Sequence, residues 1–267
     1  MSEPIEPTRR AGDEAQAETG GDRAAPLHSR RDFIAATAAA VAGLGLAPGI
    51  RLVEVAAAKP DDEPASAKVR WGMLIDTTRC QTGCDACVTA CNKENHLGET
   101  RQPRTDAQWI RKIDLTEEQT GQSLSLPMLC QHCDNAPCVD VCPTGASFKR
   151  ADGIVLVDRH ICIGCRYCMM ACPYKARSFV HEPLEDQNPL VPRGQGTVES
   201  CTLCVHRLDR GGTPACVEAC AAEDHHAMLF GDLNDPQSAI ARRLREVRST
   251  EVRADLKLGT AIRYEGL

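Results

Sequence analysis

The chain has 267 residues, a formal net charge of -6 and 16 cysteines, with aromatic residues at only 3%. That length suits one large domain or two small ones; the absence of a basic excess argues against a nucleic-acid-binding surface, and the scarcity of rings argues against a wide aromatic core. Cysteine is the residue this chain uses in excess.

Residues 1–58 read as a targeting segment. Ser29-Arg30-Arg31-Asp32-Phe33 leads into the small-residue apolar run AATAAAVAGLGLAPG, and paired arginines before a mildly hydrophobic stretch are the pattern of a bacterial twin-arginine signal. The run breaks at Pro48-Gly49 after about 15 residues, short of the ~20 that span a bilayer. Ala56-Ala57-Ala58 offers a small-residue cleavage position, and residues 59–68 form a polar linker. The expected location is periplasmic, peripheral to the cytoplasmic membrane. Export in the folded state suits a metal-loaded protein, because clusters are inserted where thiols stay reduced.

WGMLID reads as a strand that runs into the first cysteine group, Cys80, Cys84, Cys87 and Cys91. In the insertion after that group, WIRKIDL and SLSLPML bracket the turn-rich TEEQTGQ and predict a hairpin. The second group is Cys130, Cys133, Cys138 and Cys142. ASFK and IVLVD then flank Ala151-Asp152-Gly153, a second, shorter hairpin. The third group, Cys162, Cys165, Cys168 and Cys172, precedes a polar stretch, VHEPLEDQNPLVPRGQG, whose prolines and glycines predict an irregular surface loop. The fourth group is Cys201, Cys204, Cys216 and Cys220, followed by AMLFGDL, a strand able to pair with WGMLID. SAIARRLREVRSTEVRADL carries Ile240, Leu244 and Val247 at helical spacing among charges, an amphipathic helix capping the fold.

Three chemistries compete for the cysteines. An even count in an exported chain is the usual mark of a disulfide framework, but thiols converging within one turn of loop cannot all pair locally. Zinc takes two close pairs separated by a longer loop; the fourth group alone passes for such a site, the third does not. Iron-sulfur chemistry accounts for the spacing directly. A C-x2-C-x2-C loop wraps three corners of a 4Fe-4S cube, and the fourth cysteine of the run, followed by proline, ligates the neighbouring cluster. Cys142-Pro143 and Cys172-Pro173 have that proline. Runs two and three then exchange fourth ligands: Cys130, Cys133 and Cys138 with Cys172, and Cys162, Cys165 and Cys168 with Cys142. By elimination the outer runs do the same, grouping Cys80, Cys84 and Cys87 with Cys220, and Cys201, Cys204 and Cys216 with Cys91.

The stretches IDTTRCQTGCDACVTACNKENH, LPMLCQHCDNAPCVDVCPTGASF, DGIVLVDRHICIGCRYCMMACPY, VESCTLCVHRL and FGDLNDPQS resemble the four-cluster iron-sulfur subunits of membrane-associated oxidoreductases. That family includes subunits of polysulfide, tetrathionate and dimethyl sulfoxide reductases, formate dehydrogenases and some periplasmic hydrogenases. Within it, the chain is most similar to the exported iron-sulfur subunit of the Dsr electron-transfer complex of sulfur metabolism. It departs from the usual pattern at Cys80-x3-Cys84, one residue longer than C-x2-C, and at Cys91 and Cys220, which are followed by Asn92 and Ala221 rather than proline.

The expected architecture is α+β, two nested bacterial-ferredoxin-like units with short hairpins and cluster-binding loops. The outer unit spans 69–129 and 173–238, the inner unit 130–172, and 239–267 form a C-terminal helix and tail. No catalytic triad, paired carboxylates or nucleotide loop stands apart from the cysteines, so the expected function is electron transfer without substrate chemistry, through four 4Fe-4S clusters. The resemblance implies a polytopic quinone-interacting membrane subunit as one partner and a further redox subunit, a cytochrome or a molybdopterin enzyme, as the other, with membrane association through these partners. The alternatives are a subunit of a molybdopterin oxidoreductase or hydrogenase, a freely diffusing polyferredoxin, or an exported structural protein held by zinc or disulfides. His96, His132, His160, His206, His225 and His226 are read as loop or surface residues. Lys93, Lys149, Arg166 and Lys175 lie near the cysteine loops, as solvated charges.

Overall fold

A computed structural model describes residues 64–98, 102–121 and 123–267. The signal segment with Arg30 and Arg31, the cleavage position and the first part of the linker lie outside the described residues. In chain order the elements are β1 Trp71–Asp76, α1 Ala86–Asn95, β2 Ile110–Thr116, β3 Ser123–Leu129, α2 Pro137–Asp140, β4 Ser147–Lys149, β5 Val155–Val157, α3 Tyr167–Ala171, β6 Ser178–Phe179, β7 Val198–Glu199, α4 Val205–Leu208, α5 Ala215–Ala222, β8 Met228–Asp232, α6 Ala239–Glu246, β9 Ser249–Thr250 and β10 Ile262–Glu265.

Four consecutive residues of β1, Gly72 to Ile75, are buried. A strand covered on both faces reads as a continuous apolar run, and β1 lies inside its sheet, whose order is β8-β1-β10-β9. It pairs antiparallel with β8, Met73 opposite Phe230, as the two apolar segments predict. Against β8 and β1 packs α6, burying Ile240 and Ala241. The Ser238 hydroxyl accepts from the Ala241 N–H at 3.1 Å and caps that helix.

Both hairpins form where the sequence puts them. β2 pairs with β3 from Ile110↔Leu129 to Thr116↔Ser123, its base buried through Trp109, Ile110, Leu126, Met128 and Leu129 and its tip exposed at Leu115. β4 pairs with β5, Ser147 opposite Val157. The helices that carry cysteines pack in pairs: α1 on α5, and α2 on α3. Residues 181–197 form the expected loop without regular structure.

The end of the chain departs from the sequence reading. The amphipathic helix stops at Glu246, and the residues after it form no tail: β10 inserts parallel to β1 and antiparallel to β9. Ile262 and Tyr264 are fully buried, and Arg263 and Glu265 alternate with them. Four residues of period two are too short a signal to stand out, and the partner strand is at the far end of the described chain. The Tyr264 hydroxyl donates to the Pro127 carbonyl at 3.0 Å and receives the Gln131 amide at 3.2 Å. The Ala261 N–H reaches the Gln131 carbonyl at 2.9 Å. The last strand thus ties the sheet to the loop of the second cysteine group.

Arg70 makes a second tie. Its guanidinium donates to the carbonyls of Gly153 at 3.1 Å and His132 at 2.9 Å, while its own N–H reaches the Asp232 carboxylate at 2.8 Å. Tyr264→Ala, which empties a fully buried site, is expected to destabilise the protein by about 3–5 kcal/mol, and Tyr264→Phe, which removes only the hydroxyl, by about 1 kcal/mol. The midpoints of urea unfolding for the two variants check the ranking.

Candidate metal centres

Cys80 and Cys84 lie in the loop before α1, while Cys87 and Cys91 lie on the helix itself, four residues apart and so on one face. Cys216 and Cys220 stand in the same relation on α5. Because α1 packs on α5, the faces meet with their cysteines offset. Burial pushes the Cys87 thiol up to about 12, and the nearby Cys80, Cys220 and Cys84 push the same way. Burial also raises Cys216, with Cys91 and Cys204 adding to it, and raises Cys201, with Cys91, Cys216 and Cys204 adding. The structure therefore brings together Cys80, Cys84, Cys87 and Cys220 on one side, and Cys91, Cys201, Cys204 and Cys216 on the other.

The α2–α3 pair does the same with the inner runs. Cys133 is pushed to about 12 by burial and then by Cys130, Cys138 and Cys172, so these four form one set. Cys142, Cys162, Cys165 and Cys168 line a single small cavity between the β4–β5 hairpin and the third cysteine loop. Gly164 lets that loop close: its φ is +69°, and a Cβ there would lie 2.3 Å from the Gly196 carbonyl oxygen.

All sixteen cysteines are free thiols, and eleven are buried; Cys165 alone is exposed. No described cysteine is in a disulfide. Among the described residues no three Cys, His, Asp or Glu side chains converge as ligands of one metal ion. Polar hydrogens instead point at sulfur. The Ser147 N–H lies 3.4 Å from Cys142 Sγ, the Leu203 N–H 3.4 Å from Cys201 Sγ and the Ala227 N–H 3.3 Å from Cys220 Sγ. Asn95, itself buried, places its amide nitrogen 3.6 Å from Cys91 Sγ. At Cys142 burial works to raise the thiol, but the Ser147, Thr144 and Ala146 hydrogen bonds outweigh it and hold the thiol below its usual value.

The widened first loop is absorbed locally. Gly83, within Cys80-x3-Cys84, takes φ +82°, and the Lys112 ammonium donates to the Gln81 and Cys84 carbonyls from β2. Burial raises the Cys80 thiol, and Lys112 pulls it back.

Several side chains differ from their sequence reading. His132 is fully buried rather than superficial; its Nδ1 accepts the Val155 N–H at 3.0 Å, and burial, with the charges of Arg70 and Arg177, lowers it to about 3. His206 is also buried, 2.7 Å from the Glu94 carboxylate. In both cases the ring follows closely on a cysteine in the chain and fills the core between loops, a role that no local pattern marks. His96, His160 and His226 are exposed and His225 is half-buried. Lys149 pairs with Asp134 at 2.7 Å, and the Arg166 guanidinium lies 3.8 Å from the centroid of the Phe179 ring. The cation that touches a thiol, Arg177, is one that sequence reasoning passed over: its Nη2 lies 3.1 Å from Cys138 Sγ.

The donor chemistry fits a cluster. Each set offers four sulfurs with N–H groups aimed at one or more of them, which is what a 4Fe-4S cube takes from protein; two sets are wholly buried, and the other two are partly open at Cys80, Cys84, Cys142, Cys162 and Cys165. Sulfur-only sets in a mixed helix-and-strand fold define a 4Fe-4S protein. Residues 122–233 match the family model of the 4Fe-4S dicluster domain. The chain is 42% identical over 268 residues to the Hdr-like menaquinol oxidoreductase iron-sulfur subunit 1 of Archaeoglobus fulgidus, a match covering 90% of this chain and 99% of that one. It is 42% identical over 207 residues to a tetrathionate reductase subunit of Salmonella typhimurium, covering 76% of each. It is 34% identical over 234 residues to the arsenate respiratory reductase iron-sulfur subunit of a Shewanella species, covering 73% of this chain and 96% of the relative. The chain belongs to the family of iron-sulfur electron-transfer subunits of respiratory oxidoreductases.

Proposed function

We propose that the chain relays single electrons through four 4Fe-4S clusters, in two nested ferredoxin-like units, between a polytopic quinone-interacting membrane subunit and a further redox subunit. When bound, each cluster supplies a one-electron centre whose potential the surrounding protein sets. One holding set is Cys80, Cys84, Cys87 and Cys220; a second is Cys201, Cys204, Cys216 and Cys91. The inner pair is Cys130, Cys133 and Cys138 with Cys172, and Cys162, Cys165 and Cys168 with Cys142. The observation that carries this assignment is the packing of α1 on α5 and of α2 on α3, which sets the last cysteine of each run among the first three of its partner run.

The protein's own residues do the rest. Burial shields eleven of the sulfurs from solvent, N–H groups stabilise their negative charge, and Lys112 fixes the widened loop. The likeness to the menaquinol oxidoreductase subunit of Archaeoglobus, aligned almost end to end, supports a quinone-linked partner; a place beside the Dsr-type subunits of sulfur metabolism rests on the resemblance of the cysteine motifs alone. The paired arginines support export by the twin-arginine route to the periplasm. No helix among the described residues is long and apolar enough to cross a membrane; attachment through the partners is part of the proposal.

The ligand exchange is tested by comparing Cys172→Ala with Cys165→Ala. Electron paramagnetic resonance during a redox titration should show each variant losing a different signal; loss of the same signal from both would mean that each run holds its own cluster. Export is tested by Arg30→Lys with Arg31→Lys. The expected outcome is a cluster-loaded precursor retained in the cytoplasm, and normal export of the double variant would contradict the reading.

A further inference from the structure

Arg177 lies five residues beyond Cys172 and is 5% exposed. Its Nη2 donates to Cys138 Sγ at 3.1 Å and to the Ser147 hydroxyl at 2.8 Å. Its Nε and Nη1 are buried and meet no protein acceptor. None of its nitrogens therefore faces a carboxylate. A buried guanidinium keeps its charge under all ordinary conditions, and a buried charge without an opposite one is strongly unfavourable. The compensation has to come from the sulfurs.

Those sulfurs belong to both inner sets. Cys138 and Cys130, whose thiols the guanidinium favours as thiolates against the effect of burial, belong to one. Cys168, which feels the same charge, belongs to the other. Ser147 extends the link: its hydroxyl accepts from Arg177 while its N–H points at Cys142 Sγ. The side chain is wedged between the two sets with one charge for both.

We infer that Arg177 is the shared counter-charge of the two inner cysteine sets, a positioning residue that raises the reduction potentials of both inner clusters together. Each electron added to a cluster adds a negative charge, so a fixed cation favours the reduced form, the more so in a low-dielectric interior. Hydrogen bonds to sulfur act in the same direction. The inference rests on the proposed assignment of clusters to the inner sets.

The test uses the full chain with its clusters loaded, followed by iron and sulfide content and by an electron paramagnetic resonance redox titration. Arg177→Gln is expected to shift both inner signals at least tenfold toward the oxidised form at a given potential, a lowering of about 59 mV or more, and to leave the outer two in place. Arg177→Lys, which restores a cation, is expected to recover most of the shift. Full cluster content with no inner signal moved, with only one moved, or with all four moved alike overturns the inference. If Arg177→Gln does not load its clusters, the lysine variant decides: loading with near-parental potentials supports the counter-charge, and equal failure to load shows a packing role and overturns it. Failure of the underlying assignment looks different: the unaltered chain itself would lack iron or sulfide at the inner sets, or Cys172→Ala and Cys165→Ala would remove the same signal.

Discussion

A loop carrying three closely spaced thiols can wrap three corners of a cube, and the fourth thiolate has to come from elsewhere in the chain. That geometric shortfall is what the rest of this structure answers. Two helix pairs, α1 with α5 and α2 with α3, bring the last cysteine of one run near the first three of its partner run, as the proposed ligand exchange needs. Because α1 precedes the inner runs and α5 comes after them, the chain has to close on itself, and β1 and β8 clamp that closure in one sheet. β10 then lies against β1, with Tyr264 reaching to Pro127 and Gln131 beside the second cysteine group. Arg70 bridges the same two regions through the Gly153 and His132 carbonyls.

A core built from thiols meets an electrostatic problem that an aliphatic core does not. Burial raises the thiols at Cys87, Cys130 and Cys133 to about 12, yet metal binding requires thiolates. The structure answers with hydrogen-bond donors and cations. Backbone N–H groups approach Cys142, Cys201 and Cys220, the Asn95 amide approaches Cys91, and cations stand at Cys138 and behind the Cys84 loop. Nearby carboxylates are paired with cations or a histidine: Glu94 with His206 and Arg207, and Asp152 and Asp209 with Arg150. The consequence is a path for electrons whose potentials are set by fixed groups of this chain.

Cysteine spacing singled out the candidate ligands before any coordinate, since few chemistries need four thiols within 13 residues, as the first three runs have, or the terminal proline of the second and third. The hairpins were legible too, because apolar alternation and turn residues are local signals: Ile110 to Leu129 and Ser147 to Val157 obey them. What depended on tertiary contact was not. β10 is four residues long and is recognisable only by its partner at the other end of the fold. His132 and His206 look like loop histidines and are buried because neighbouring loops close over them. Arg177 comes after the CPY motif like any solvated arginine, and only the approach of Cys138, Cys168 and Ser147 makes it an internal charge. The extra residue in Cys80-x3-Cys84 is plain in the sequence, but the positive φ of Gly83 and the hold of Lys112 on that loop appear only in the structure.

The central claim is that sixteen thiols, drawn pairwise from distant runs, hold four cubes. Iron and acid-labile sulfide measured on the full chain purified without oxygen test it most directly. The account predicts about 16 of each per chain. About half that number would leave one helix pair without clusters, and zinc with little sulfide would contradict the account altogether.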